Sequence, residues 1–345
     1  SVTNTRINKY YSNKKSQKFP FQVSDDLYIR NYNDTIFNEI INSELSDSLS
    51  YVYSDLPYFL LKFYLEKKYQ LSLDTQIKNY LYDKIGSTSL TYKPTNFLDK
   101  KLIVPTAVDD YFRFNLVEGH VHDMGAAMMD GISGHAGLFG NSLDIAKILQ
   151  LFLQKGSYAN EKFFDEKFFD LFNFRHFEEK KVRRGIGFDK LELDPDDPNT
   201  CGCVSDKSFG HYGFTGSVAW VDPDTEIIYV FLSNRTFPDE NNNSLSDYNI
   251  RTEIQKLVHE AFDWMNIIIV CYPTYGGSGV LATELGHKLA EFGHKIHFVA
   301  YKKPVRLKLI DNKVLFHKVN VPFYPLFNFQ PCLLYTSPSP RDGDE

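Results

Sequence analysis

The sequence has no apolar run approaching the about 20 residues that a bilayer-spanning helix needs, so no stretch of it reads as a transmembrane segment. It has little tryptophan (two residues), little methionine (four) and only four cysteines. Cys201, Cys203, Cys271 and Cys332 show no metal-ligand spacing. Cys201 and Cys203, two apart, suit a surface loop better than a structural disulfide. Positive charge is not in excess: 38 Lys and Arg stand against 44 Asp and Glu, a net charge of −6, so there is no basic stripe for nucleic acid. The opening residues Ser1-Val2-Thr3-Asn4-Thr5-Arg6 have neither an initiator Met nor the apolar core of a signal peptide, so the chain is expected to begin after processing or inside a longer gene. No pattern calls for a cofactor or a metal. Aromatics are abundant, with 29 Phe and 22 Tyr, and should fill much of the core. The 345 residues suffice for two domains, or for one large and one small.

Residues 1–262 alternate helical patterns with polar loops. Asp34 can cap a short helix carrying Ile36, Phe37, Ile40 and Ile41. Ser54 or Asp55, with Pro57 in the first turn, opens a second helix with Phe59, Leu60, Phe63 and Tyr64 on one side. A third runs from Asp74 through Ile77, Leu81 and Ile85 to a stop at Gly86. A fourth starts at Asn141 or Ser142, carries Ile145, Ile148, Leu149 and Phe152, and ends by Gly156. Residues 209–221 and 226–233 are rich in β-branched and aromatic residues, and Asp222-Pro223-Asp224-Thr225 is a turn between them, so they predict a hairpin. A last amphipathic helix buries Ile250, Ile254, Leu257, Val258 and Ala261.

At Met265 the character changes. Asn266-Ile267-Ile268-Ile269-Val270 reads as a strand of a parallel sheet covered on both faces. Gly276, Gly277, Ser278 and Gly279 follow, then a helix with Leu281, Leu285 and Leu289 and a second strand over residues 295–299. This is the opening of a nucleotide-binding α/β domain that stops before its sheet can close.

Three stretches carry chemistry. Tyr53-Ser54-Asp55 stands at a helix mouth, which by itself is an ordinary capping signal. Gly210-His211-Tyr212-Gly213 lies on the first strand of the hairpin, where glycines usually mean close backbone packing. His122 and Asp123 precede a glycine-rich run with Gly131, Gly134, His135 and Gly137. Lone histidines are more often structural than catalytic.

Their order and spacing, over about residues 20–262, resemble the serine β-lactamase and penicillin-binding-protein family, including the module found beside family-3 N-acetylglucosaminidases. The stretch 119–139 is the most specific part of that likeness. The resemblance implies an α/β (α+β) fold: a β-lactamase/transpeptidase-like antiparallel sheet with flanking helices and a helical lobe. It implies that Tyr53 is general base toward a serine nucleophile and that Asp55, where the family has Asn, bonds substrate. An aspartate offers only acceptors there, which changes what it can hold. It matches His211 and Gly213 to the edge-strand motif, where backbone N–H groups face the acyl oxyanion and Gly213 lets substrate approach. Residues 125–139 should pack the helical lobe against the sheet, with His122 and His135 as supporting groups.

Such acyl transfer needs a serine activated by a lysine one helical turn later on a buried helix. The string Ser12-Asn13-Lys14-Lys15 has the letters, but it sits in a basic segment with no apolar face, closed by Phe19-Pro20. The chain is therefore expected to start after its own nucleophile and to form no acyl-enzyme. The substrate implied is a small molecule, peptide or ester with a scissile amide or ester bond. The alternatives are a binding or accessory module without catalysis and a glycosyltransferase named from its C-terminal segment.

Residues 265–330 resemble the N-terminus of the GT-B glycosyltransferases that make N-acetylglucosaminyl L-malate in bacillithiol biosynthesis. That likeness continues through Pro304-Val305-Arg306-Leu307 and Val319-Asn320-Val321-Pro322-Phe323-Tyr324. It implies a truncated Rossmann-like β-α-β stub over residues 265–331, with Gly276, Gly277, Ser278 and Gly279 approaching substrate at a helix N-terminus. Residues 332–345 match a reading frame of a sequencing adapter and are expected to be disordered. The hydrolase family is exported whereas the transferase is cytoplasmic, so the junction at Met265 reads as accidental.

Overall fold

The computed structural model describes residues 9–45, 50–194, 196, 198–263, 266–271, 278–310 and 312–319. Contacts divide the chain into two compact units, Ser1–Gln255 and Lys256–Glu345. Gly276, Gly277 and the tail 332–345 lie outside the described residues.

The first unit opens with an antiparallel sheet of β1 (Tyr11–Ser12), β2 (Phe21–Ser24) and β3 (Leu27–Ile29), with β3 central. The helical lobe follows: α1 (Asn33–Ile41), α2 (Leu56–Tyr69) and α3 (Leu73–Ile77), the last continuing as a π-helical turn over residues 78–82. Strands β4 (Thr91–Tyr92), β5 (Pro105–Asp109), β6 (Asn115–Glu118) and β7 (Leu138–Phe139) form two ribbons, β4 with β7 and β5 with β6. Helix α4 (Met124–Met128) lies between β6 and β7, and α5 (Ser142–Leu153) follows them. A small ribbon of β8 (Ser157–Tyr158) and β9 (Glu161–Lys162) leads into α6 (Glu166–Asn173).

The main sheet is antiparallel, in the order β10 (Phe209–Tyr212), β11 (Val218–Asp222) and β12 (Ile227–Phe231). Two-residue periodicity sorts its side chains. Phe209, Ala219, Val221, Ile228 and Val230 pack with Ile145, Leu149 and Phe152 of α5 and with Phe169 and Phe188. The opposite face, with Val218, Trp220 and Tyr229, packs with Ile254. The α5 residues recur at helical spacing, and Asn141 caps the helix by accepting from Asp144 N–H at 2.9 Å. Aromatic edges fill the interior, with Phe188 on Phe209 at 4.9 Å and Phe169 on Phe209 at 5.2 Å. Helices α7 (Ser244–Asp247) and α8 (Ile250–Asp263) close the order.

Several expectations change. Residues 209–221 are two strands, because a turn ends β10 after Tyr212: Gly213 N–H donates to Ser217 O at 2.8 Å, and Gly216 takes φ +94°. On α2, Leu60 and Tyr64 are exposed, and the buried side chain is Lys62, paired with Glu66 at 2.7 Å. Glu66 also accepts from Leu73 N–H, which fixes the α2–α3 corner. On α8, Leu257 and Val258 are exposed while Gln255 and His259 are buried. Cys201 and Cys203 are joined by a disulfide, their Cα atoms 5.2 Å apart, within the reach such a bond requires.

In the second unit β13 (Asn266–Val270), α9 (Ser278–Glu291), β14 (Lys295–Ala300) and β15 (Val314–Lys318) form a parallel sheet in the order β13-β14-β15. Ile296, Phe298, Val314 and Ala290 make its core, with Ile267, Ile269 and Leu289 against them. Ile268 and Val270 are exposed, so among the described residues β13 is covered on one face, where cover on both was expected. Leu281 and Leu285 also point away, because Gly286 brings α9 against the ring of Phe298. Ser278 and Gly279 lie in the first turn of α9.

Candidate active site

The segment before α2, residues 51–54, has no regular secondary structure, and the helix starts directly after Asp55. Ser54 Oγ accepts from Leu56 N–H at 3.2 Å, while Asp55 O accepts from Tyr58 at 2.9 Å and Phe59 at 3.3 Å. The capping work therefore falls to Ser54 and to the main chain of Asp55. The Asp55 carboxylate takes no capping bond. It lines a cavity of about 900 Å³, together with Tyr53, His135 and His211.

That cavity joins three of the four predicted catalytic side-chain positions. Tyr53 enters from the mouth of α2, Asp55 from the N-cap position two residues on, and His211 from β10 across the unit. Much of the remaining wall is aromatic: Phe152, Phe164, Phe169, Phe172 and Phe188 line it, with Leu61, Val182 and Ile186 among them. Gly213 does not line the cavity, since it belongs to the turn beyond the strand. A Cβ added there would find Ser217 at 3.6 Å, so internal packing does not require the glycine. Its N–H is spent on Ser217. The amide on offer at the strand edge is that of Tyr212. Asp189 and Gly210 exchange backbone bonds across the outer edge of β10, and alternation then turns Tyr212 to the same side.

Burial raises the Tyr53 phenol above its ordinary value, the Asp55 charge adds to this, and the Arg184 guanidinium opposes it. Arg184 was not singled out from sequence. Its guanidinium carbon lies over the Tyr53 ring, 4.9 Å from the centroid. Its Nη1 donates to His211 Nε2 at 2.9 Å, and its Nη2 reaches Asp189 Oδ2 at 3.3 Å. An arginine beside a second arginine, Arg183, reads in sequence as a solvated basic pair. Only buried Asp189, which binds both, turns one of them toward the cavity.

The two supporting histidines part company. His135 lines the cavity, stacks on Phe59 at 4.4 Å, and bonds Ser133 Oγ through Nδ1 at 2.9 Å and Asp123 Oδ1 through Nε2 at 2.8 Å. Asp123 also caps α4 by accepting from Ala126 N–H at 2.6 Å. Burial would raise the Asp123 carboxyl, but the bonds from His135 and Ala126 hold it below the usual range. His122 is outside the cavity, stacked on Phe214 and bonded to Glu240 at 3.2 Å. Two glycines of residues 125–139 serve contact with α2: a Cβ on Gly134 would meet Tyr58 O at 2.7 Å, and one on Gly125 would meet Phe59 at 2.9 Å, whereas Gly131 faces Lys93 and Val121 and Gly137 faces Tyr92. Ala126 and Ala127 of the same run pack with Val23, Leu27 and Ile29 of the β1–β3 sheet, so the run touches both the helix that opens after Tyr53 and a sheet. Ser12 sits on β1 with its hydroxyl donated to Lys14 O, and neither Ser12 nor Lys15 lines the cavity.

A family model described as Beta-lactamase matches residues 44–252. An N-acetylmuramyl-L-alanine amidase of Bacillus subtilis (strain 168) is 33% identical over 215 residues, covering 56% of this chain and 47% of that protein. The chain thus spans about half the length of this curated relative. Among solved structures, a penicillin-binding protein homologue from Caulobacter crescentus is similar at 14% identity and a TM-score of 0.42, over 59% of this chain and 58% of that one. A simvastatin synthase mutant from Aspergillus terreus is similar at 15% identity and a TM-score of 0.47, over 67% of this chain and 60% of that one.

Proposed function

Since the chain belongs to the Beta-lactamase family, a family of hydrolases, we propose that residues 20–262 carry the base side and the strand-edge side of an acyl-transfer centre that cleaves an amide or ester. The observation that carries this reading is the convergence of Tyr53, Asp55 and His211 on one cavity. Tyr53 takes the proton of an attacking serine hydroxyl and passes it to the leaving group. Asp55, an acceptor only, holds a substrate N–H, which favours amides and peptides over esters. On this reading the outward Tyr212 amide at the edge of β10, next to His211, bonds the acyl oxygen as it gains charge, and Gly213 beyond it keeps the end of the strand open to substrate. His122 and the Gly125-to-Gly134 contacts hold the surrounding segments.

The nucleophile is expected from a segment beyond these residues: a Ser-x-x-Lys helix whose apolar face seats on the aromatic wall of the cavity. Among the described residues, the one serine lining the cavity, Ser54, is engaged at the helix N-terminus. Incubating the chain with a fluorescent penicillin or fluorophosphonate and weighing it intact should give no adduct. An adduct on any serine of this sequence would refute that part. The chain extended upstream by a Ser-x-x-Lys helix should turn over nitrocefin or p-nitrophenyl esters, and Tyr53→Phe in that background should lower the rate by roughly 10²–10⁴-fold. Full turnover by the phenylalanine variant would remove Tyr53 as base. No turnover with probe binding intact would favour a non-catalytic binding module.

We infer separately that residues 265–331 are the start of a GT-B glycosyltransferase, supported by the parallel β13-α9-β14 unit and the glycines before α9. On that reading the stub has no transferase activity, residues 332–345 are foreign to both parents, and the parent hydrolase is exported. Among the described residues no helix is long and apolar enough to cross a membrane.

A further inference from the structure

We propose that Arg184 is a positioning residue of the acyl-transfer centre: pinned on Asp189, its guanidinium fixes His211 as the Nδ1–H tautomer and stands as a fixed cation on the face of Tyr53. This rests on the functional reading above and extends it to a group that the motifs do not contain. A guanidinium can only donate, so the 2.9 Å contact from Arg184 Nη1 makes His211 Nε2 the acceptor. The proton then sits on Nδ1, which donates to Tyr212 O at 2.7 Å. Both ring nitrogens are thus committed. His211 enters the reaction as an oriented neutral imidazole.

The anchor is strong enough for this role. The Asp189 side chain is 2% exposed and receives Arg183 Nε at 2.7 Å, Arg184 Nη2 at 3.3 Å and the Lys190 amide at 3.0 Å. Its main chain pairs with Gly210, one residue before His211, so the anchor and the histidine share one piece of sheet. The same guanidinium covers the Tyr53 ring at 4.9 Å, a cation–π arrangement that also favours phenolate over phenol. The groups facing Tyr53 are Asp55, Tyr51 and Tyr58, which disfavour its anion, and Arg184, which favours it. Removing Arg184 leaves burial and Asp55 unopposed. One side chain thereby sets the state of two residues that reach the cavity from α2 and β10.

The test is NMR of the chain as it stands, with ¹⁵N-histidine and ¹³Cζ-tyrosine, assigned with His211→Gln and Tyr53→Phe. The wild type should show a pyrrole-type Nδ1 and a pyridine-type Nε2 for His211. An Nε2–H tautomer there would overturn the proposal without any variant. Arg184→Met, which keeps length and loses donors and charge, should lose the Nδ1–H preference and move the Tyr53 titration to higher pH. Arg184→Lys should restore the Tyr53 titration toward wild type but not the tautomer, because one ammonium cannot hold Asp189 and His211 together. Unchanged tautomer and titration in a folded Arg184→Met variant would refute it, and if that variant does not fold, the lysine variant and the wild-type spectrum still decide. Turnover is not read, so failure of the acyl-transfer assays would strike the functional reading and leave these signals standing.

Discussion

Arg113 is 1% exposed, and the largest single energetic consequence is expected when it is replaced by methionine. Its guanidinium donates to Val23 O at 2.9 Å, Asp109 Oδ2 at 2.9 Å, His122 O at 3.2 Å and Val121 O at 2.5 Å. Breaking one partner out of a buried pair costs about 3–5 kcal/mol. Three orphaned carbonyls would add about 1–3 kcal/mol each if they relaxed independently. They do not: Val121 and His122 are adjacent and relax together, only Val23 O stays held in β2, and against that one carbonyl Asp109 keeps backbone N–H bonds from Tyr111, Phe112 and Arg113 itself. The net expectation is therefore the ion-pair range, about 3–5 kcal/mol, in urea unfolding at pH 7. The sign of the pH dependence follows from Asp109. Burial would raise its carboxyl, but the bonds from Phe112 and Arg113 outweigh this and hold it below the usual range. Its contribution is thus complete above the unfolded carboxylate value of about 3.9 and is lost as pH falls through the lower folded value. Arg113→Met should flatten that acid loss as well as lower stability at neutral pH. A variant within about 0.5 kcal/mol of wild type at pH 7 would refute the reasoning, because it would place the pair among ordinary surface substitutions. The loss should also reach the cavity, since Val121 and His122 lead directly into Asp123, which holds His135.

Lys190, with burial first and the Arg175 charge second, has its ammonium pushed down to about 8. Folding therefore releases its proton between about pH 8 and the unfolded value near 10.4, and stability should rise with pH across that window. Lys190→Met should abolish the rise, read by urea unfolding at pH 8 and 9.5. A rise that persists would assign it elsewhere. Gly134→Ala should cost about 1–3 kcal/mol, because its Cβ meets Tyr58 O at 2.7 Å and must push α2, carrying Tyr53 and Asp55 with it. Gly213→Ala, with nothing nearer than 3.6 Å, should leave the melting temperature unchanged while slowing ester turnover in the upstream-extended chain. The reverse pattern would exchange the structural and functional roles given to these two glycines.

Some elements were legible because local chemistry decides them. Asn141 before an apolar 3.6-residue repeat gives α5, Pro57 in a first turn gives α2, and Asp222-Pro223-Asp224-Thr225 gives the β11–β12 turn. Where periodicity alone had to say which side is inside, it failed: Leu60, Tyr64, Leu257 and Ile268 are exposed, and Lys62 and Gln255 are buried. Burial depends on which neighbour arrives, and a helix repeat carries no record of that. The break at Gly213 was missed for a related reason, because aromatic and β-branched residues continue on both sides of it.

By itself the sequence determined the family and pointed to three residues of the candidate site, because Tyr53, Asp55 and His211 are bound to motifs whose letters are local and ordered. Tertiary structure alone decided that these positions share one aromatic cavity and that His122 stays outside it while His135 lines it. It also decided that Arg184 joins Tyr53 to His211. The reason is physical: a motif fixes side chains against their own backbone. A charge such as Arg184 is fixed only by a partner, Asp189, whose value lies in being buried beside β10 once the sheet has formed.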